Sequence, residues 1–345
     1  MSAADTRMIR NILVVAPSWV GDAMLMHPML VRLKQRHPDS FIDVLAPAWT
    51  EKLIQQMPEV NNTIVNPFPH GALQLGARIS LGMQLRDRHY DQAIVLPNSL
   101  KSALVPFFAG IPLRTGFKGE MRYGLLNDRR KLDKQALPLM VERFAQLAEN
   151  NGDAIERPLP QPRLHVSAEQ RQAALAKFNL SLDRPVAVFC PGAEYGPAKR
   201  WPVPYFAELA QRLQQQGYTV WITGSQKDRD IGDKIIALGN MDAHNLCGIT
   251  DLAEAIALTS CAALVVTNDS GLMHIAAALD RPMLALYGSS SPGFTPPLSN
   301  QAQVLKIDIP CSPCFKRECP LGHFKCMKNL TPQMVAEHIP ALPRN

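Results

Sequence analysis

The chain has 345 residues, 46% of them hydrophobic, enough for about two domains that each bury a core. Lysine and arginine number 36 against 30 aspartates and glutamates, and the resulting formal charge of +6 favours anionic partners without separating nucleic acid, membrane surface and phosphorylated substrate. Seven cysteines, an odd count, speak against a complete disulfide framework and suit a reducing compartment. The segment Met1 to Arg10 has no apolar run of the kind a signal peptide needs. The longest nearly uncharged stretch, Ala103 to Leu113, falls short of the roughly 20 residues that cross a bilayer, so a cytoplasmic protein with no transmembrane segment is expected.

Along the chain, short apolar runs rich in β-branched residues alternate with helix-like segments, the pattern of parallel sheets with crossover helices. The first half offers strands at Ile12 to Ala16, Phe41 to Leu45, Thr63 to Val65 and Ala93 to Leu96. After the first of these comes "SWVGDAM", a strand-to-helix turn with a single glycine. A dinucleotide turn needs G-x-G-x-x-G so that the backbone can approach a pyrophosphate, whereas Gly21 followed by Asp22 puts a carboxylate where it would repel one. A nicotinamide oxidoreductase is therefore disfavoured. Asp22 is also of a residue type that caps helices, here one beginning at Ala23.

Midway, "IERPLPQPRLHV" carries three prolines, which remove backbone donors and disfavour helix before them, and it reads as a linker. The division predicted is one Rossmann-like domain over 1–160 and a second over 161–345, an α/β pair of doubly wound parallel sheets facing a cleft, with ligands at the carboxyl ends of the strands.

The second half repeats the pattern, with strands at Val186 to Cys190, Thr219 to Thr223, Ala263 to Thr267 and Met283 to Tyr287. In "CPGAEYGPAKRWPVPYFAEL" a loop flanked by Gly192 and Gly196 leads to Lys199 and Arg200, cations able to neutralise a diphosphate or simply to sit in water. "TGSQKDRD" places Asp228 beyond the second strand, where an acid commonly accepts from a ribose. In "TNDSGLMHIAAALD", Asp269 as helix cap would leave the amides of Ser270, Gly271 and Leu272 open to an anion at the positive end of the helix dipole. His274, four residues after Ser270, falls on the same face and could donate to a phosphate; the plainer reading is a cap and a satisfied buried histidine. Near the end, "CSPCFKRECPLGHFKC" sets Cys311, Cys314, Cys319 and Cys326 around His323, a spacing able to ligate zinc, although the second pair is wider than in usual knuckles. "TPQMVAEHIPAL" begins as a capped helix, with Thr331 at the cap and Pro332 in the first turn.

Taken together, "WVGDAMLMHPML", "AKRWP" and "NDSGLMHIAAALDRPMLALYG" resemble the bacterial ADP-heptose:lipopolysaccharide heptosyltransferases over nearly the whole chain. The resemblance implies a GT-B fold, a nucleotide sugar held by the second half and an acceptor held by the first. It also implies inverting transfer of heptose from ADP-heptose to the first heptose of a phosphorylated glycolipid, the lipopolysaccharide inner core on Kdo2-lipid A at the inner membrane surface. No cofactor and no catalytic metal is required. Under this reading Asp22 faces the acceptor and is the general base for the attacking hydroxyl. Lys199, His274 and the amides at Ser270 and Gly271 stabilise the departing ADP. The acceptor half has a matching basic run from Arg114 to Lys134, seven cations against three anions, with Arg122, Arg129 and, from "NSLKSALVPFF", Lys101 as the expected acceptor contacts. Two other readings compete: a nucleotide-sugar epimerase of the same fold, and a basic zinc-containing nucleic-acid binder. The latter is weakened by an aromatic content of 6%, which does not interleave with the basic run.

Overall fold

The computed structural model describes residues 9–340 except His70; the start of the amino-terminal segment and the last residues of the expected terminal helix lie outside them. The chain divides into two compact units, 1–160 and 161–345. The first contains β1 (Asn11–Val15), β2 (Phe41–Pro47), β3 (Asn62–Asn66), β4 (Gln92–Val95), β5 (Leu113–Phe117) and β6 (Asp128–Arg130). They form one sheet in the order β3-β2-β1-β4-β5-β6, every pair parallel. The second contains β7 (Val186–Cys190), β8 (Thr219–Ile222), β9 (Ala243–Asn245), β10 (Leu264–Asn268), β11 (Met283–Tyr287) and β12 (Ala302–Lys306), in the order β12-β11-β10-β7-β8-β9 and again parallel throughout. Counted from its own first strand, the second sheet has the same order as the first.

Strands buried on both faces read as continuous apolar runs, and those are the ones visible in the sequence. Ile12, Leu13, Val14 and Val15 of β1 are at most 3% exposed, and all five residues of β7, β10 and β11 are buried. Sequence pattern alone misses β5, β6, β9 and β12. The stretches "DRR" and "AHN" are three residues long and polar because they lie at sheet edges, and β12 is an edge strand with one buried residue.

In each sheet the strand order reverses between the first and fourth strands, β1/β4 and β7/β10, and the crevice at their carboxyl ends is where doubly wound sheets take ligands. The turns after these four strands therefore hold the residues of interest. The helix Val20–Arg36 follows β1 and is braced from behind, where Arg32 and Arg36 both donate to the carboxylate of Glu149. Thr331 caps the helix Pro332–Ala336 by accepting from the Met334 amide.

Candidate active site

In the second unit the turns after β7 and β10 are tied together. Asn268, fully buried at the end of β10, donates its side-chain amide to the Pro191 carbonyl at 2.7 Å and accepts from the Trp201 amide at 3.0 Å. The loop between those two residues is thereby fixed, and it carries Lys199. The Lys199 ammonium donates to Asp269 Oδ2 at 2.6 Å, with Asp269 only 4% exposed. This corrects the expected cap: Ser270 occupies the cap position of the helix Gly271–Ala278 without a side-chain cap bond, because the Asp269 carboxylate is turned to Lys199 instead. The helix amides remain directed out of its first turn, with a cation beside them. The hydroxyls of Ser270, Ser289 and Ser290 around these strand ends are buried with no hydrogen-bond partner among the described residues. His274 is buried, and that burial, aided by Lys199 and opposed by Asp269, pushes its imidazole down to about 4. It is neutral at physiological pH, a dipole rather than a third charge.

Two residues expected at the donor have protein neighbours of their own. Asp228 is 8% exposed, and its Oδ2 accepts from the Ser225 amide at 2.9 Å and the Ser225 hydroxyl at 2.7 Å, so that oxygen closes a local capping turn. A Cβ at Gly192 would come within 2.5 Å of the Asp228 carboxyl carbon, so the close approach of this carboxylate by itself requires a glycine there.

In the first unit Asp22 lies in the first turn of a helix that starts at Val20, with Trp19 at the cap position, so it does not cap a helix beginning at Ala23. Across the switch point, the turn after β4 carries Lys101, which is partly exposed and has no ammonium partner among the described residues. Arg122, expected to contact an acceptor, is 2% exposed. Its guanidinium donates to the carbonyls of Pro97, at 2.8 Å, and Phe117, and to the Asn98 side chain at 3.3 Å. Arg122 therefore holds the loop after β4 in place and is not a surface cation. Arg114 donates to the carbonyls of Leu125 and Ile111, and Arg130 pairs with Asp128 at 2.8 Å. The basic run thus loses three of its seven cations to internal structure, leaving Lys118, Arg129, Lys131 and Lys134 exposed. The Arg129 guanidinium lies 4.5 Å over the ring of Tyr123, itself 75% exposed.

Residues 78–325 match the pattern of glycosyltransferase family 9 (heptosyltransferase). The chain belongs to this family. It is 50% identical over 341 residues to lipopolysaccharide heptosyltransferase 2 of Escherichia coli K12, covering 96% of this chain and 98% of that protein. It is 46% identical to lipooligosaccharide heptosyltransferase 2 of Haemophilus influenzae, covering 95% and 98%. The solved structure of E. coli ADP-heptose lps heptosyltransferase II superposes with a TM-score of 0.86 at 48% identity, covering 95% and 97%. The enzyme is a glycosyltransferase, and its fold is the α/β GT-B class with two doubly wound sheets.

The cysteine segment of this glycosyltransferase is docked against the loop of Lys199. The Ala198 amide donates to the Arg317 carbonyl at 3.0 Å, the Tyr195 hydroxyl to the Phe315 carbonyl at 2.8 Å, and the Phe315 amide to the Ser289 carbonyl at 2.6 Å. Cys311, Cys314, Cys319, Cys326 and His323 line one small cavity. Among the described residues no group of three or more histidine, cysteine, aspartate or glutamate side chains is arranged to hold a metal ion. Sequence reasoning misses Asn268 and Trp201. Asn268 sits inside the N-D-S-G motif, but nothing in its spacing distinguishes a buried brace from a ligand contact.

Proposed function

We propose that the enzyme transfers heptose, with inversion, from ADP-heptose to the first heptose of the lipopolysaccharide inner core, working at the cytoplasmic face of the inner membrane. The second unit takes the donor and the first takes the phosphorylated glycolipid acceptor. Among the described residues no helix is long and apolar enough to cross a membrane, so the lipid portion of the acceptor is met from outside. What supports the donor assignment is one observation: a helix start with open amides, a lysine and an unpartnered serine hydroxyl at the switch point of the second sheet.

In this reading the amides of Ser270, Gly271 and Leu272 meet the diphosphate, and Lys199, drawn from Asp269 toward the phosphates, stabilises charge as ADP departs. His274 adds a neutral hydrogen bond. Asp22 removes the proton of the attacking hydroxyl while the anomeric carbon takes on oxocarbenium character. Direct displacement forms no covalent enzyme intermediate and requires no cofactor, and nucleic acid is not a partner. Arg129 and Lys101 are the acceptor-side cations.

The test is release of ADP from ADP-heptose with and without the lipid acceptor. Acceptor-dependent release is expected, and release indifferent to acceptor would favour an epimerase. Gly271→Val, which puts a branched side chain against the open amides, is expected to weaken ADP binding at least about tenfold by calorimetry. Unchanged affinity in the folded variant would move the donor site elsewhere.

A further inference from the structure

A cavity opens at the carboxyl ends of β1, β2 and β4 in the first unit, lined among others by Ser18, Trp49, Asn66, Ser99 and Lys101. Among the described residues lining it none is an aspartate or glutamate. Trp49 is 53% exposed, an unusual position for the largest apolar side chain on a polar rim. Its indole is held in place, because the ring N–H donates to the Ser18 carbonyl at 2.8 Å. Ser18 belongs to the same strand-to-helix turn as Asp22, so the flat face of Trp49 keeps a constant relation to that turn.

Lys101 is placed with similar care. Buried Arg78, stacked 3.9 Å over Phe68, donates to the Lys101 carbonyl at 3.2 Å and to the Leu73 carbonyl at 2.6 Å. The other side of the same turn is held by Arg122 on the Pro97 carbonyl and by Glu120, which accepts from the Leu100 amide at 2.7 Å. Two internal arginines and a carboxylate thus fix the backbone around Lys101, while its ammonium has no partner among the described residues. A preordered aromatic face and a preordered cation, with no acid group among the described residues lining the cavity, match one chemistry: a sugar ring, apolar on its C–H face, that carries an anionic group.

We propose that this cavity is an anionic-sugar subsite for the acceptor, with Trp49 as the platform on which a sugar ring stacks and Lys101 as the contact for its phosphate or carboxylate. The proposal rests on the reading of the first unit as the acceptor half and goes beyond it by naming a residue that no charge pattern suggested. Through the Trp49–Ser18 hydrogen bond, the stacked ring is indexed to the turn that carries Asp22.

The experiment uses the full chain, ADP-heptose and the lipid-linked acceptor, and compares wild type with Trp49→Ala, Trp49→Phe and Lys101→Ala. Trp49→Ala is expected to raise the acceptor KM about tenfold or more with kcat within about threefold, and to leave calorimetric ADP affinity unchanged. Trp49→Phe, which keeps an aromatic face, should recover much of that loss. Of the four tryptophans, Trp201 and Trp221 are buried and Trp19 and Trp49 are exposed, so acceptor should change the tryptophan emission of wild type, and the part of that change that Trp49→Phe removes, with Trp19 retained, belongs to Trp49. Repeating the Lys101→Ala comparison with dephosphorylated acceptor identifies the anion: a KM effect that vanishes assigns a phosphate, and one that persists assigns a carboxylate. An unchanged acceptor KM in Trp49→Ala, with wild-type release dependent on acceptor, would overturn the subsite alone. Wild-type release that ignores acceptor would overturn the reading of the first unit and the subsite with it.

Discussion

The two units share one strand order and differ in what their switch-point turns present. In the second, the turn after β10 offers helix amides with Lys199 already paired to Asp269, and buried neutral groups such as Asn268 and His274 organise the surroundings. In the first, the corresponding turns offer a carboxylate, Asp22, and a cation, Lys101, the exposed indole of Trp49 comes from the neighbouring segment after β2, and buried arginines do the bracing. The difference teaches that topology fixes where a ligand goes while the turns choose its chemistry. A diphosphate needs amides and a screened cation; a hydroxyl to be activated needs a carboxylate away from phosphate.

The contrast is most exposed at Arg122. As an internal brace it has three acceptors, and Arg122→Ala leaves them in a buried setting, so we expect a loss of about 3 kcal/mol or more in urea unfolding of the first unit. A fully stable variant with weaker acceptor binding would return Arg122 to the role of a contact. Next in size is Asp22→Asn, nearly isosteric, expected to lower kcat about a hundredfold while ADP affinity stays normal. A parallel loss of ADP affinity would erase the division of labour between the units.

The neutral surroundings of the second unit predict an acid weakness. His274 ionises near 4 when folded and near its ordinary value of 6.5 when unfolded, so the unfolded chain binds the extra proton between those values. Stability is therefore full above the ordinary imidazole value and falls as pH drops, by roughly 2 kcal/mol at pH 5. Urea midpoints at pH 7.5 and 5.0 for wild type and His274→Gln should show the variant losing less, and equal losses would place the acid sensitivity elsewhere. The smallest effect is expected at Arg129, an exposed cation over Tyr123. Arg129→Ala should leave stability within about 0.5 kcal/mol and raise the acceptor KM only a few-fold, an increase that shrinks as salt rises. A large salt-independent effect would mean that Arg129 is desolvated by the bound acceptor.

The elements that place both sites are legible in the amino-acid pattern itself, because β1, β7, β10 and β11 are buried on both faces and must be written in unbroken apolar residues. The Gly21-Asp22 turn and the N-D-S-G-x-x-H stretch then follow from their positions after such strands, with the helix dipole supplying the electrostatics. What the one-dimensional pattern lacks is depth and partnership. Arg122 and Arg129 look alike in a basic run, yet one ends inside a loop and the other on the surface, since only the folded chain brings the Pro97 and Phe117 carbonyls around a single guanidinium. Asp269 and Asp228 each have the form of a functional acid. Long-range neighbours, Lys199 for the first, and the choice of a nearby hydroxyl, Ser225, for the second, settle their bonds. Trp49 carries no signal at all in the sequence, because an exposed aromatic acquires meaning only when strands far apart along the chain set a serine carbonyl, a lysine and an open cavity around it.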